Sequence, residues 1–461
     1  IKDTPILTRV INSRDIENSS YTSVKDILEM SVPNIQNVVS SHAGTSNNNV
    51  KIQGLDNRYI LFLIDGARVS GEFAGNLDFN MLDLSDVERI EIVDGGVSSL
   101  YGSSAIGGVV NIISKKRQKP ISFSLSMLNE DPVIASTSIN LGLTYKNFHY
   151  NVNFVNQKTD GYDLTPQDSN VVGALSKTQE EYVTNSVSHK IRYNFNLSSL
   201  GSSGLIELNY KEYSNFIYQY ENHLVQVLDD SNPSYPFYYY QSYVNNSPRF
   251  KDYRYGAIFK IDTKNTFFKL SYHTERYKKY SYFFNYEESA CDQFGVNCDN
   301  LDELVSREIL NANSYGESIV AQYNLSLSSH ELMMGAEVNK NRYSSFNVYY
   351  FDHNNDGSCG EGTVWDPNDC WSQSIFNEDG SKNYIKKAIF IGDQITFEND
   401  NKLNISIRNT DSKNFGNGLV YSSSFITKTL FKDFSLRLSA NRGFRTPSIK
   451  ELYYNYQSHP P

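Results

Sequence analysis

The chain has 461 residues and a formal net charge of −10, from 42 Lys+Arg against 52 Asp+Glu. An acid excess with no basic stripe argues against nucleic acid as a partner, and the length is more than one ordinary core fills, so at least two domains are expected. Mean hydropathy is −0.49, and no apolar run approaches the roughly 18 residues of a membrane helix; that excludes a helical membrane protein but not a membrane β-barrel, whose strands each show one apolar face.

The first part of the chain mixes helix and strand. Thr4-Pro5 precedes a strand-like run, Ile6–Ile11, and Ser13-Arg14-Asp15 opens a short helix. Ser23 is a candidate N-cap for a second helix with Val24, Ile27 and Leu28 on one face and Pro33 as its stop. A Ser/Asn-rich loop over 40–49 leads into Val50–Gln53. Two apolar runs, Tyr59–Ile64 and Ile90–Val93, each end in Asp-Gly, a turn signal. A Gly/Ser-rich segment from Gly95 to Gly108 is followed by the β-branched run Val109–Ile113, cut off by Lys115-Lys116-Arg117. Gly102-Ser103-Ser104-Ala105 is not G-x-S-x-G, and the Gly-rich run lacks the order of a phosphate loop. No nucleophile–base set appears, so no catalytic residue is expected and an enzyme is disfavoured.

From residue 121 the period is two. Ile139, Leu141, Leu143 and Tyr145 alternate with polar residues, and after Lys146-Asn147 so do Phe148, Tyr150, Val152 and Phe154. The pattern recurs through Ile206/Leu208/Tyr210, Ala321–Leu327 with Leu332–Val338, Leu403–Ile407, and Phe425–Leu430 with Leu436–Ala440. It gives about 13 or 14 strands, each near the roughly 9–11 residues that cross a bilayer when tilted. Short connections (146–147, 328–330, 399–402, 431–433) alternate with long polar ones (158–185, 214–250, 279–315, 344–385). That asymmetry is the periplasmic/extracellular one of outer-membrane barrels. The high counts of Tyr (34) and Phe (26) suit aromatic girdles. A soluble β-sandwich and a β-rich surface adhesin are the rival readings.

Two cysteine pairs, Cys291/Cys298 and Cys359/Cys370, sit in polar Asp/Asn-rich stretches. The spacing suits two local disulfides in extracellular loops, and no C-x-x-C supports a metal site instead. Asp352-His353-Asn354-Asn355-Asp356-Gly357 matches the first half of a calcium loop, with Asp352, Asn354 and Asp356 as ligands, but position 12 is Thr363. A solvated turn explains that stretch equally well.

Several motifs fall in order over residues 4–116: Val50-Lys51-Ile52-Gln53-Gly54, Leu63-Ile64-Asp65-Gly66, Val87-Glu88-Arg89-Ile90-Glu91, and Leu100-Tyr101-Gly102 with Ala105-Ile106-Gly107-Gly108-Val109-Val110-Asn111. This part resembles the plug of TonB-dependent outer-membrane receptors, although Asp94-Gly95-Gly96 stands where the family usually has an Arg-Gly-Pro turn. Near the end, Gly443-Phe444-Arg445-Thr446-Pro447 resembles the family's Phe-Arg-Ala-Pro box, with Thr for Ala.

The resemblance implies an N-terminal α/β plug domain at 1–116 inside a membrane β-barrel at 117–461. The barrel is antiparallel and 22-stranded in the family, and this chain is expected to hold only part of it. A coupling box and signal peptide are expected upstream, and further strands downstream. It implies import of a scarce extracellular ligand, haem or another iron chelate, with a siderophore or cobalamin as alternative. The candidate ligand contacts are His42, Arg58, His459 and Arg445, the two histidines as axial haem ligands. The implied partners are a TonB-type periplasmic energy transducer, outer-membrane lipid and a surface lipoprotein or ligand-delivery protein. No resident cofactor is required, and calcium in one loop is the single candidate.

Overall fold

In the computed structural model the described residues are 8–19, 24–32, 35–39, 48–52, 54–55, 59–69, 82, 84–95, 97–116, 119–130, 134–163, 177, 180–197, 201–218, 220–227, 237–244, 247–284, 306–345, 348–352, 370–374, 381–398, 400–431, 434–449 and 452. The chain enters through β1 (Thr8–Asn12) and α1 (Ser13–Glu17). Asp15 accepts the Asn12 N–H at 3.1 Å and Ser13 donates to Glu17 at 2.9 Å, so the short helix satisfies its first turn locally. In α2 (Val24–Ser31), Val24, Ile27 and Leu28 are fully buried on one stripe. There follow β2 (Ile35–Val39), β3 (Asn48–Ile52), β4 (Ile60–Ile64), β5 (Ala67–Arg68), β6 (Val87–Asp94), α3 (Ser98–Tyr101) and β7 (Gly108–Ser114).

Five of these strands form a mixed sheet in the order β1-β6-β7-β4-β5, with β4 and β7 parallel, while β2 and β3 pair as a separate hairpin. Asp65 and Gly66, the turn between β4 and β5, have φ of 51° and 82°, the left-handed pair that Asp-Gly suits. Two elements differ from the sequence reading. β2 carries Gln36 and Asn37 in the middle of its five residues, which breaks the apolar pattern. α3 lies inside the Gly/Ser-rich run and, at four residues, is too short to show a helical period.

The second unit comprises β8 (Ile121–Glu130), β9 (Ile134–Tyr145), β10 (Phe148–Thr159), β11 (Glu181–Leu197), β12 (Ser202–Tyr218), β13 (Tyr220–Val227), β14 (Phe237–Val244), β15 (Ser247–Asp262), β16 (Thr266–Phe284), β17 (Ser306–Leu327), β18 (His330–Ser345), β19 (Val348–Asp352), β20 (Cys370–Ser374), β21 (Ser381–Thr396), β22 (Lys402–Ser412), β23 (Gly416–Phe431) and β24 (Phe434–Asn441). Thirteen of them make one antiparallel meander from β8 to β24. The hairpins β13–β14 and β19–β20 stand in two of the long connections.

Burial in this sheet is inverted relative to a water-soluble one. Ile389 (66% exposed), Leu438 (58%) and Leu208 (50%) lie on the outside, whereas polar residues of the opposite face, such as Arg408 (3%), Ser424 (2%) and Glu207 (5%), are buried. In water that arrangement would expose the apolar face and desolvate the polar one. Against hydrocarbon the apolar face is in its preferred medium, and the wall is a membrane barrel wall rather than half of a sandwich.

The long connections are shorter, and the strands longer, than alternation suggests: β16 has 19 residues and β17 has 22. Beyond the bilayer both faces of a strand meet polar surroundings, so side-chain alternation fades while the backbone ladder continues. The two units share one core. Plug residues Ile27, Leu28, Ile52, Phe62 and Ile90 pack in the same cluster as Tyr213, Ile217, Phe250 and Tyr277 of the inner wall.

Candidate functional site

The two motifs furthest apart in sequence meet at the inner wall. The Ser103 and Thr446 hydroxyls lie 3.2 Å apart, Ser104 N–H donates to the Phe444 carbonyl at 3.4 Å, and Ser406 donates to Ser99 at 2.8 Å. The turn around Gly102 is therefore docked between β22 and the Phe444–Thr446 box. Arg68, delivered by β5, holds it from the other side by donating to the carbonyls of Ser103 (3.0 Å) and Tyr101 (2.6 Å). Gly102 has φ of +88°, and a Cβ there would lie 2.7 Å from Arg68 Nη2 and 2.9 Å from Arg408 Nη2. Only glycine lets both guanidiniums close over the turn.

Arg68 also faces Glu337 of β18 at 3.7 Å, and Arg408 of β22 donates to the other Glu337 oxygen. Lys386 of β21 completes the cluster, beside Arg68, Glu337 and Arg408. It is 8% exposed, donates to Thr446 Oγ1 at 3.4 Å, and lies 5.5 Å from the Tyr384 ring. Three basic side chains thus surround one buried carboxylate. An uncompensated buried charge is costly, and an anion arriving from the cavity would lower that cost.

A second ionic contact ties the plug lower down. Lys190 of β11 reaches Asp65 at 2.7 Å and also Ser114, while Ser114 donates to Asp65 through its amide (3.0 Å) and hydroxyl (2.7 Å). Burial alone would raise the Asp65 pKa, but the Lys190 ammonium and the bonds from Lys190 and Ser114 outweigh it and hold the carboxyl at about 2 against an ordinary 3.8. The contribution of this contact is therefore complete above about pH 4 and is lost as pH falls through about 2, an effect on the order of 2 kcal/mol. Hydrogen exchange of the Ile112–Ser114 amides across that window should show protection falling in the wild type, and already low at neutral pH in Asp65→Asn.

Between the two contacts lies a cavity of about 340 Å³, bounded by β4, β5 and Ser103–Ser104 on one side and by the wall from β10 to β21 on the other. Its inward-facing charged lining is Arg68, Lys115, Lys190, Lys211, Arg254, Lys386 and Arg445 against Asp65, Asp86 and Glu275. In a chain of net charge −10, the cavity has collected cations.

The family model of the TonB-dependent receptor plug domain matches residues 1–109, and that of the TonB-dependent receptor-like β-barrel matches 208–461, more than half of the chain. The chain belongs to the TonB-dependent receptor family. It is thereby placed in the outer membrane of a Gram-negative cell. Among curated relatives of this TonB-dependent receptor, the vitamin B12 transporter BtuB of Vibrio vulnificus is 38% identical over 108 residues, 23% of this chain and 17% of that protein. The iron-regulated outer membrane virulence protein of Vibrio cholerae is 37% identical over 126 residues, 26% of this chain and 19% of that protein. Among solved structures, the siderophore receptor PirA of Acinetobacter baumannii superposes with a TM-score of 0.71 at 16% identity, covering 95% of this chain and 61% of that one. The ferric enterobactin receptor PfeA of Pseudomonas aeruginosa, an R480A mutant with enterobactin, gives 0.70 at 17% identity, covering 98% and 64%. The chain thus spans under two thirds of those solved receptors, and its likeness to them is one of fold.

Of the residues singled out from sequence, Arg445 lines the cavity, its guanidinium 5.5 Å from the Tyr59 ring. His42, Arg58, His459, Asn354, Asp356, Cys291, Cys298 and Cys359 lie outside the described residues. Asp352 and Cys370 are opposite one another in the β19–β20 ladder, as backbone only. Among the described residues no group of three His, Cys, Asp or Glu is placed to hold a metal. Arg68, Glu337, Lys386, Arg408 and the Asp65–Lys190 contact were not anticipated in this TonB-dependent receptor. Arg68 follows Leu-Ile-Asp-Gly-Ala directly, so motif reading could have reached it. Glu337, Lys386 and Arg408 are charged residues on polar strand faces, and nothing in sequence separates them from others of that kind.

Proposed function

We propose that the chain is the ligand-receiving part of an active transporter for an anionic ferric chelate. Lys386 carries the reading: a buried lysine beside two guanidiniums and a single carboxylate, on the edge of a cavity of ligand size, where an anion would favour its protonated form. A ferric siderophore bearing carboxylate or catecholate groups supplies the missing negative charge. Haem, through its propionates, is the second reading; among the described residues His273 is the histidine with an inward-facing side chain in the lining. The matched relatives include an iron-regulated protein and a vitamin B12 transporter, so cobalamin is the neutral alternative. A TonB-type transducer pulling on the N-terminal side of the plug would have to break the Asp65–Lys190 contact and the Glu337 cluster. Transport of this kind requires no covalent step, and no catalytic residue is assigned.

Titration of the full-length receptor, followed by intrinsic fluorescence, tests this. An anionic ferric tris-catecholate is expected to bind at least tenfold more tightly than an uncharged ferric tris-hydroxamate or cobalamin. Lys386→Met should weaken the anionic ligand by about 1.5–3 kcal/mol, the size of a charge-assisted hydrogen bond, while thermal stability holds or rises because a surplus buried charge is gone. Equal affinity for charged and uncharged chelates would refute the reading. Tight binding of haemin alone would select haem.

A further inference from the structure

Toward the short connections, β11, β12, β15 and β16 present three successive inward rows, each about 7 Å beyond the last. The first reads Lys190, Asn209, Gly256 and His273, and its side chains line the cavity. The second sets Arg192 opposite Glu207, an ion pair at 2.7 Å. The third reads Asn194, Leu205, Lys260 and Lys269, with the two lysines directly opposite one another in the β15–β16 ladder. Lys260 opens, with Lys116 and Arg192, onto a second cavity of about 180 Å³.

The acids whose charge reaches Lys260 and Lys269 are Glu207 and Asp65, and both are engaged. Glu207 accepts from Arg192 Nε at 3.0 Å and Nη2 at 2.7 Å, while Asp65 is held by Lys190 and Ser114. Among the described residues Lys116, Lys260 and Lys269 have no ion-pair partner. Like charges facing each other across a ladder are destabilising, and an anion between Lys260 and Lys269 would offset that. The Asp65–Gly66 turn of the plug stands between the first row and the third: Lys190 contacts Asp65, and Lys269 Nζ lies 3.5 Å from where a Gly66 Cβ would be. The wall formed by β21, β22 and β23 differs. Beyond Lys386 and Arg408 toward its short connections it presents Ala388, Phe390, Ser406 and Ser424, all buried and uncharged, and Ser406 is bonded to Ser99 of α3.

We infer that the pocket at Lys260 and Lys269 is a second, periplasm-facing station for the anionic groups of the chelate, reached along the β11–β16 side of the lumen once the Asp65–Gly66 turn is withdrawn. This rests on the cavity reading above. At about 180 Å³ the pocket is smaller than the roughly 300 Å³ at which small-molecule sites begin, so it takes a whole chelate only after the turn has moved. The same movement frees Lys190 from Asp65. The anion is then handed from one set of basic side chains to the next, and crosses the lower lumen without losing its counter-charge.

Binding and uptake are measured separately on the full-length receptor in cells, with a radiolabelled ferric tris-catecholate as probe. Lys260→Met with Lys269→Met should leave its dissociation constant within twofold of wild type and lower the maximal energised uptake rate at least fivefold; Lys260→Glu with Lys269→Glu should lower it further. Lys260→Arg with Lys269→Arg should keep the wild-type rate. Because Lys269 lies against the plug, protease cleavage in unenergised membranes reports whether the plug stays docked, and where a double variant loosens it, Lys260→Met alone should still slow uptake. Wild-type uptake by the folded Met and Glu pairs, or equal losses in the Arg and Met pairs, would overturn the station and leave the cavity reading standing. Failure of the wild type to bind the tris-catecholate would remove both.

Discussion

Replacing Glu337 with alanine is expected to loosen the plug by about 3–5 kcal/mol, the cost of removing one partner from a buried ionic cluster. Glu337 is 6% exposed and is the carboxylate that faces Arg68 of the plug and Arg408 of the wall. Without it, the half-buried Arg68 and the buried Arg408 lose their common carboxylate beside Lys386. The loss should fall on docking rather than on the wall, because the β18 ladder to β17 and β21 is unaffected by a side-chain change. Protease cleavage of the plug in intact outer membranes should accelerate at least tenfold, and cells should admit bulky antibiotics, with heat-modifiable mobility preserved. Plug cleavage at the wild-type rate would show that the cluster does not hold the plug. Addition of an anionic chelate should slow cleavage in the wild type more than in Lys386→Met.

The second large effect concerns the aromatic seat. Tyr213 and Phe250 are each 1% exposed and belong to the cluster that contains Ile27, Phe62 and Ile90 of the plug. Phe250→Ala should cost about 3–5 kcal/mol, and Tyr213→Ala a comparable amount, through lost burial and the cavity left behind. Leu438→Ala removes a side chain of similar character from the outer face, where it is 58% exposed. It should cost well under 1 kcal/mol against protein contacts, since it packs on lipid rather than on the plug. Urea-induced release of the plug, followed by hydrogen exchange, should therefore shift strongly for the two inward positions and scarcely for Leu438. Equal shifts at all three would contradict the inside-out assignment.

How far the sequence reaches depends on what each feature encodes. Period-two alternation exposes the wall, since Ile389 and Arg408 answer to different solvents and their residue types record it. The plug strands Ile60–Ile64 and Gly108–Ser114 are legible as apolar runs ending in turn residues. The extensions of β16 and β17 are not legible, because a strand wetted on both faces has no apolar side. Nor is the site. Ser103 and Thr446 are 343 positions apart, and only the closing of the wall around the plug makes the Leu100–Gly102 and Phe444–Thr446 motifs one contact. Arg445, legible as part of the box, lines the cavity, while the residue of the box that docks the plug turn is Thr446. The cluster around Lys386 requires knowing which three basic side chains surround Glu337, which is a three-dimensional fact.

Energy-coupled uptake tests the central claim most directly. Cells lacking their own receptors for the compound, and expressing the full-length protein, would be given radiolabelled iron as an anionic ferric chelate. Accumulation is expected in energised cells, falling to the level of surface binding when the proton gradient is collapsed or the transducer is deleted. Accumulation that persists without the gradient, or none with any anionic iron chelate including haemin, would contradict the account.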